Sequence, residues 1–212
     1  MYPLRMTRSL AVAAGLVAVA VPASASAAEL AVTPEKRCYA HGESVNLIGS
    51  GFTPGTNASI TRDGALLGSL PTDGLGAFNG LLTLAQPSGQ RMKTYSAEDG
   101  INPALTASDQ ITVSAVRVGL KPNDGAPGRV MRINARGFTT GKTLWAHVVK
   151  GKRKRHIRLG RLKGACGRLK TRRRLLKPNA ALGMHTIQFD TFRRYRSGRA
   201  VRDVASIEVT RG

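Results

Sequence analysis

Residues 44–55 of this 212-residue chain read SVNLIGSGFTPG, and residues 130–141 read VMRINARGFTTG. Each stretch alternates apolar and polar residues and then reaches a Gly-Phe-Thr turn. Alternation with a period of two is typical of a β-strand that buries one face. The buried faces are expected to carry Val45, Leu47 and Gly49 in the first stretch and Met131, Ile133 and Ala135 in the second. The two stretches therefore predict equivalent strands followed by equivalent turns.

The similarity continues in the same order along the chain. LGSL at residues 67–70 returns as LGRL at 159–162, and ITV at 111–113 returns as IEV at 207–209. The second copy has about six extra residues between its landmarks, and they fall in the basic stretch 150–155. An ordered internal repeat of this kind predicts two copies of one fold.

Each copy contains short alternating runs separated by turn signals such as Asp63-Gly64 and Pro127-Gly128, which is the pattern of a β-sandwich. Residues 169–176 suggest a helix weakly, but their Arg run would place like charges side by side, so a strand is predicted there. The predicted fold class is all-β, with two tandem immunoglobulin-like antiparallel β-sandwich domains at 29–115 and 116–212.

The N-terminus has the three-part layout of a secretory signal peptide. Arg5 and Arg8 precede an apolar run at 10–21, and the small residues ASAA follow at 25–28. The apolar run is well short of the ~20 residues needed to span a bilayer. We therefore expect residues 1–28 to be a cleaved signal peptide, and the remaining protein to be secreted, extracellular or associated with the cell wall.

The motif GSGFTPG at 49–55, placed after an alternating strand, resembles the immunoglobulin-like (IPT/TIG-like) repeats of secreted actinobacterial proteins. The resemblance covers both copies, although the second departs from it at Thr140, where the first has Pro54, and in its basic insertion. It implies extracellular, non-catalytic modules used as spacers, stalks or binding units. It supplies no catalytic residue.

The net charge of +21 is distributed unequally between the two copies. Residues 29–115 hold five Lys and Arg against eight Asp and Glu, whereas residues 116–212 hold 26 against four. The first predicted domain is therefore mildly acidic and the second strongly basic. This excess is far beyond the net charge of roughly 2 to 8 that keeps a small domain soluble.

The basic residues of the second copy fall into three groups, which are the candidate polyanion-binding residues. The hairpin group, predicted at the tip of a hairpin at 150–156 and just beyond it, comprises Lys150, Lys152, Arg153, Lys154, Arg155, Arg158 and Arg161; the strand group comprises Arg172, Arg173 and Arg174; the loop group comprises Arg193, Arg194 and Arg196. Phe192 and Tyr195 are the aromatic residues expected to be exposed beside the loop group. The sequence leaves open whether the three groups share one face.

Clustered cations attract polyanions through their summed field, and Arg grips oxyanions through two parallel hydrogen bonds. We therefore expect the second domain to bind an anionic wall polymer, an anionic polysaccharide or extracellular nucleic acid. The alternative is a structural spacer or adhesin-type module that contacts a protein partner, with the charge only a solvated surface.

The sequence shows no enzyme motif, no metal site and no cofactor site. The four histidines are scattered, and neither a nucleophile elbow nor a phosphate-binding glycine loop is present. His185 and Asp190 differ by an odd number on one predicted strand, so their side chains should point to opposite faces. The protein is therefore not expected to be an enzyme.

The two cysteines, Cys38 and Cys166, fall in different predicted domains. An even count in an oxidising compartment favours an interdomain disulfide. Two free thiols or an intermolecular bridge are the alternatives.

Overall fold

The computed structural model describes residues 27–151 and 153–211, so nearly all of the expected signal peptide lies outside the described residues. The described residues contain sixteen β-strands and no helix, which confirms the all-β prediction. The first eight strands are β1 (Glu29–Thr33), β2 (Tyr39–Ala40), β3 (Ser44–Ser50), β4 (Asn57–Arg62), β5 (Ala65–Pro71), β6 (Phe78–Thr83), β7 (Gln90–Asp99) and β8 (Thr106–Ser114). The second eight are β9 (Arg117–Lys121), β10 (Asp124–Gly125), β11 (Val130–Arg136), β12 (Thr143–Lys150), β13 (Arg153–Arg161), β14 (Leu169–Arg174), β15 (Gly183–Asp190) and β16 (Asp203–Val209).

The two halves of the chain have the same sheet topology. In the first half, a three-stranded sheet β1-β3-β6 faces a five-stranded sheet β2-β8-β7-β4-β5. In the second, the sheets are β9-β11-β14 and β10-β16-β15-β12-β13, so each strand has its counterpart eight strands later. All pairs are antiparallel except the two-residue strands β2 and β10, which pair in parallel with β8 and β16. The internal repeat in the sequence is therefore a repeat of one sandwich.

Alternation places the two cores as the sequence predicts. Strands β3 and β11 both alternate exposed and buried residues along their full length. Phe52 and Phe138, the aromatic residues of the two Gly-Phe-Thr turns, are both buried in their respective cores. One hydrogen bond is also repeated in the two sandwiches. Asp109 accepts from the backbone N–H of Val32 at 2.8 Å in the first, and Asp203 accepts from the backbone N–H of Val118 at 2.5 Å in the second.

The basic insertion lengthens one hairpin. Strands β12 and β13 have eight and nine residues, whereas their counterparts β4 and β5 have six and seven. The prediction of a hairpin tip at 150–156 is wrong in extent, because the two strands remain paired as far as Lys150 and Arg153. Gly151 has a φ of +56°, a conformation that suits such a tight turn. Residues 153–156 are therefore strand.

The two sandwiches are joined by more than the chain. Only residues 115 and 116 separate β8 from β9, and the backbone N–H of Val116 donates to Nδ1 of His41 at 2.8 Å. Cys38, just before β2, forms a disulfide with Cys166 in the turn after β13, with α-carbons 5.3 Å apart. No helix in the described ranges is long and apolar enough to cross a bilayer.

The disulfide yields a testable prediction. Non-reducing peptide mapping should recover one cross-linked peptide pair containing Cys38 and Cys166, with no alkylatable thiol before reduction. Because the bridge closes a loop across 128 residues, the variant Cys38→Ser/Cys166→Ser should lose about 2–4 kcal/mol of stability in urea unfolding. Two alkylatable thiols in the untreated protein would contradict the bridge.

Candidate polyanion-binding surface

The outer face of the small sheet of the second sandwich carries a regular array of cations. Cross-strand partners share a face, so the register places Lys121, Arg132 and Arg172 in one row across β9, β11 and β14. Neighbouring rows hold the other outward-facing cations. The seven cations of this small-sheet face are Arg117, Lys121, Arg132, Arg136, Lys170, Arg172 and Arg174.

The small-sheet face has no compensating negative charge. Its remaining outward-facing residues on the three strands are Gly119, Val130 and Asn134, and none of its seven cations pairs with an acid among the described residues. Like charges directly opposite one another across strands destabilise a sheet. The fold tolerates this repulsion because the opposite face packs into the core, and an anion bound on the outside would relieve it.

The structure separates the three predicted groups rather than collecting them on one face. Arg172 and Arg174 belong to the small-sheet face, whereas Arg173 pairs with Met131 on the side that faces the core. Of the hairpin group, Lys154 and Arg158 lie on the outer face of the large sheet, which is the opposite side of the sandwich. Lys152 lies outside the described residues. Arg172 and Arg174 therefore cannot contact the same flat ligand as Lys154 and Arg158.

Residues 191–202 form an arm between β15 and β16 that carries the loop group. The arm lies over the outer face of the large sheet, since the Tyr195 ring packs edge-on against His147 of β12 (centroids 5.9 Å apart). It also meets the hairpin group, with Nζ of Lys154 4.9 Å from the Tyr195 ring centroid. The other aromatic residue expected to be exposed here, Phe192, also contacts a cation, because the Arg199 guanidinium lies 3.5 Å from its ring centroid.

A buried polar network under the arm was not predicted. Asp190 and His147 are fully buried, and His147 Nε2 lies 3.2 Å from Oδ1 of Asp190. Gln188 donates to Oδ2 of Asp190 at 2.7 Å, and the backbone N–H of Phe192 donates to Oδ1 at 2.8 Å. On the other side of the ring, Nδ1 of His147 lies 2.8 Å from Nδ1 of His156. The network ties three strands, β12, β13 and β15, to the start of the arm.

The electrostatics of this network follow from its contacts. Burial acts to raise the pKa of Asp190, but the hydrogen bonds from His147, Phe192 and Gln188 outweigh it and hold the pKa below its usual value. The pKa of His156 is lowered, first by desolvation and then by the neighbouring His147. The ring of His147 thus lies between the carboxylate of Asp190 on one side and the ring of His156 on the other. His185, which was predicted to point to the opposite face of the strand from Asp190, forms a hydrogen bond with the carbonyl of Ala181 at 2.7 Å.

The counterpart of Asp190 in the first sandwich shows that the network is structural. Asp99 also ends its strand buried, and it accepts hydrogen bonds from the backbone N–H groups of Thr53, Ile101 and Asn102. The Asn102 bond leads the contacts that lower the pKa of Asp99 to about 2. Both aspartates organise the loop that follows them. Across residues 27–151 and 153–211, no group of three or more His, Cys, Asp or Glu side chains is placed to hold a metal ion.

Comparison with known proteins gives distant structural similarities alone. No family model and no curated protein matches the sequence. The Yersinia pseudotuberculosis adhesin InvE aligns over 86% of this chain and 58% of its own, with 11% identity and a TM-score of 0.33. A putative membrane-anchored protein from Corynebacterium diphtheriae aligns over 87% and 57%, with 10% identity and a TM-score of 0.34. The tetra-tandem repeat of a large adhesion protein aligns over 86% and 49%, with 15% identity and a TM-score of 0.31.

The chain thus spans about half the length of these three structures. Similarity at this level assigns neither an activity nor a partner to this chain. The function proposed below rests on the charges and geometry of its own residues.

Proposed function

We propose that this is a secreted, non-catalytic binding protein whose second sandwich docks on an extended anionic polymer through the small-sheet face. The polymer is an anionic wall polymer, an anionic polysaccharide or extracellular nucleic acid. One observation carries the proposal: seven cations occupy one sheet face without a single acid among the outward-facing residues of its three strands.

The spacing of the cations suits a repeating anion. Adjacent strands lie about 4.8 Å apart, and alternate residues along one strand lie about 6.8 Å apart. The row Lys121, Arg132 and Arg172 therefore offers a short ladder of positive charge across the sheet, with further cations above and below it. An extended polymer can place successive anionic groups along such a ladder. Release of its counterions then supplies much of the binding free energy.

The first sandwich and the bridge to it favour a second candidate function. The disulfide and the two-residue connection hold a mildly acidic sandwich against the basic one. Coupling of this kind suits a spacer or adhesin-type module that contacts a protein partner. In that case the charge is only a solvated surface.

Two variants with equal charge loss distinguish these functions. The row variant is Lys121→Gln/Arg132→Gln/Arg172→Gln, and its control is Arg158→Gln/Arg193→Gln/Arg194→Gln on the opposite side of the sandwich. Residues 29–212 of each are passed over wall polymer, heparin and DNA at increasing NaCl. We expect the row variant to bind at least about tenfold more weakly, with a DNA salt slope smaller by about 2.7, because three phosphate contacts are lost.

The affinity of the control variant for each polymer should stay within about threefold of that of the unmodified protein. Equal losses of affinity in the two variants would show that net charge, rather than the small-sheet face, determines binding. Elution of the unmodified protein at low salt from all three polymers would overturn the proposal and leave the spacer function.

A further inference from the structure

A cleft of about 410 Å³ opens at the end of the second sandwich that is remote from the disulfide. It lies between the tip of the β12–β13 hairpin and residues 175–182, which connect β14 to β15. Cys166 lies at the other end of these strands, in the turn after β13. None of the seven cations of the small-sheet face lines this cleft, so it is separate from the proposed polymer site.

The floor of the cleft is apolar. Leu175 and Leu176 are buried there, and the half-buried Val148 and Ala180 pack against the same core cluster. The half-buried side chains of Val148 and Ala180 therefore leave apolar surface at the floor, beside the buried Leu175 and Leu176. Apolar surface of this kind gains free energy when a ligand removes it from water.

The rim of the cleft is cationic because of the hairpin's length. On the core-facing side of β12 and β13, Ala146 pairs with Ile157 inside the core. Two residues further along, Val148 pairs with Arg155, and at the tip Lys150 pairs with Arg153. The basic insertion thus extends the core-facing side of the hairpin beyond the core. In this extension the core-facing residues are mostly cations instead of apolar residues. The rim cations are Lys150, Arg153, Arg155 and Lys177, and Lys154, which belongs to the outer face of the sheet, also borders the cleft.

Specific contacts orient polar groups at this cleft. Nη1 of Arg155 donates to the carbonyl of Leu175 at 3.4 Å, which leaves the rest of its guanidinium fork free. Nε2 of His185 donates to the carbonyl of Ala181 at 2.7 Å, which fixes the ring beside the cleft. None of the described residues that line the cleft has an acidic side chain. The cleft therefore combines an apolar floor with a rim that favours a strongly charged anion.

We propose that this cleft binds a lipid phosphate, with a terminal phosphate held by the rim and an apolar chain on the floor. A phosphomonoester carries about −1.5 to −2 charge at pH 7 and offers three acceptor oxygens, which suits several cations better than one carboxylate does. Arg155 and Arg153 can each donate two hydrogen bonds to such a group. The cleft volume lies within the range of sites for small ligands.

The test uses dihexanoyl phosphatidic acid as the probe, titrated into residues 29–212 by calorimetry in 0.5 M NaCl, where long-range attraction to the other cations is screened. We expect one-to-one binding with a Kd below about 1 mM. Dihexanoyl phosphatidylcholine, with the same chains, and inorganic phosphate, without chains, should each bind at least about tenfold more weakly.

Paired variants locate the site. Arg155→Gln/Lys177→Gln should weaken binding of the probe at least about tenfold, whereas Arg132→Gln/Arg172→Gln on the small-sheet face should change it less than twofold. An unchanged Trp145 fluorescence transition in urea shows that each variant still folds. Equal binding of inorganic phosphate, equal binding of phosphatidylcholine, equal effects of the two variants, or absence of binding would each overturn the proposal. Failure of the polymer experiment would leave this result unaffected.

Discussion

Replacing Gly167 by Ala is expected to lower the unfolding free energy of the second sandwich by about 2–5 kcal/mol. Gly167 has a φ of +52°, and a Cβ there would overlap the carbonyl oxygen of Phe138. The left-handed conformation costs a non-glycine residue about 1–2 kcal/mol, and forced overlap with packed backbone costs about 1–3 kcal/mol more. Because Phe138 is buried in the core, its backbone cannot retreat without moving that side chain.

Trp145 makes this effect measurable for one sandwich. It is the only Trp in the chain and belongs to β12, so its fluorescence in urea reports unfolding of the second sandwich. Gly164→Ala is the matched control, because Gly164 lies in the same turn with a φ of +69°, but a Cβ at this position would meet no atom within 4 Å. Its cost should be only about 1–2 kcal/mol.

A second control uses the repeat. Gly76 is the counterpart of Gly167, and a Cβ there would overlap the carbonyl oxygen of Phe52. Gly76→Ala should therefore destabilise the first sandwich, seen by far-UV circular dichroism, and shift the Trp145 transition much less than Gly167→Ala does. Equal Trp145 transitions for Gly167→Ala and Gly164→Ala would contradict the steric explanation.

The sequence predicts the fold well because its signals are local. Alternation identifies which residues of β3 and β11 face the core, and the repeat shows that one topology serves both halves. The strand predicted over 169–176 is also confirmed, as β14 ends at Arg174. These properties depend on period-two burial and on turn residues, which neighbouring positions along the chain reveal.

The small-sheet face was harder to predict because it depends on register between distant strands. Lys121 and Arg172 lie 51 positions apart in the sequence, yet they flank Arg132 in one row. The residues predicted to bind polyanions were chosen from runs of consecutive cations, such as the strand group. Consecutive residues of a strand point to opposite faces, so a run of three cannot form one surface. Alternating cations, as in β11, are the better signal for a charged sheet face.

The buried network was missed for a different reason. His147 and His156 are opposite each other only in the register that pairs Lys150 with Arg153, and the run of basic residues hid this register from sequence analysis. Asp190 then joins His147 from the neighbouring strand, and Tyr195 of the arm packs against the His147 ring. A polar residue on the outer face of a sheet is normally exposed to solvent. Here a later segment of the chain buries it, which no local pattern reveals.

Replacing Asp190 by Ala is expected to cost the second sandwich about 3–5 kcal/mol. The change leaves Gln188 Nε2, the Phe192 N–H and His147 Nε2 without their shared acceptor inside the protein. Breaking one side of a buried, hydrogen-bonded charged contact typically costs this much. The midpoint of the Trp145 transition in urea measures the loss. Asp99→Ala, at the equivalent position of the first sandwich, should shift that midpoint far less.

The same variant should remove part of the protein's acid sensitivity. Because folding lowers the pKa of Asp190, its ionised form stabilises the folded state above the ordinary value of 3.8, and this stabilisation is lost as pH falls through the folded pKa. The unmodified second sandwich should therefore lose stability steeply below about pH 4, and Asp190→Ala should lose less over that range. Parallel pH profiles for the two proteins would show that folding leaves the pKa of Asp190 unchanged, and would contradict the stabilisation of its ionised form by the hydrogen bonds from His147, Phe192 and Gln188.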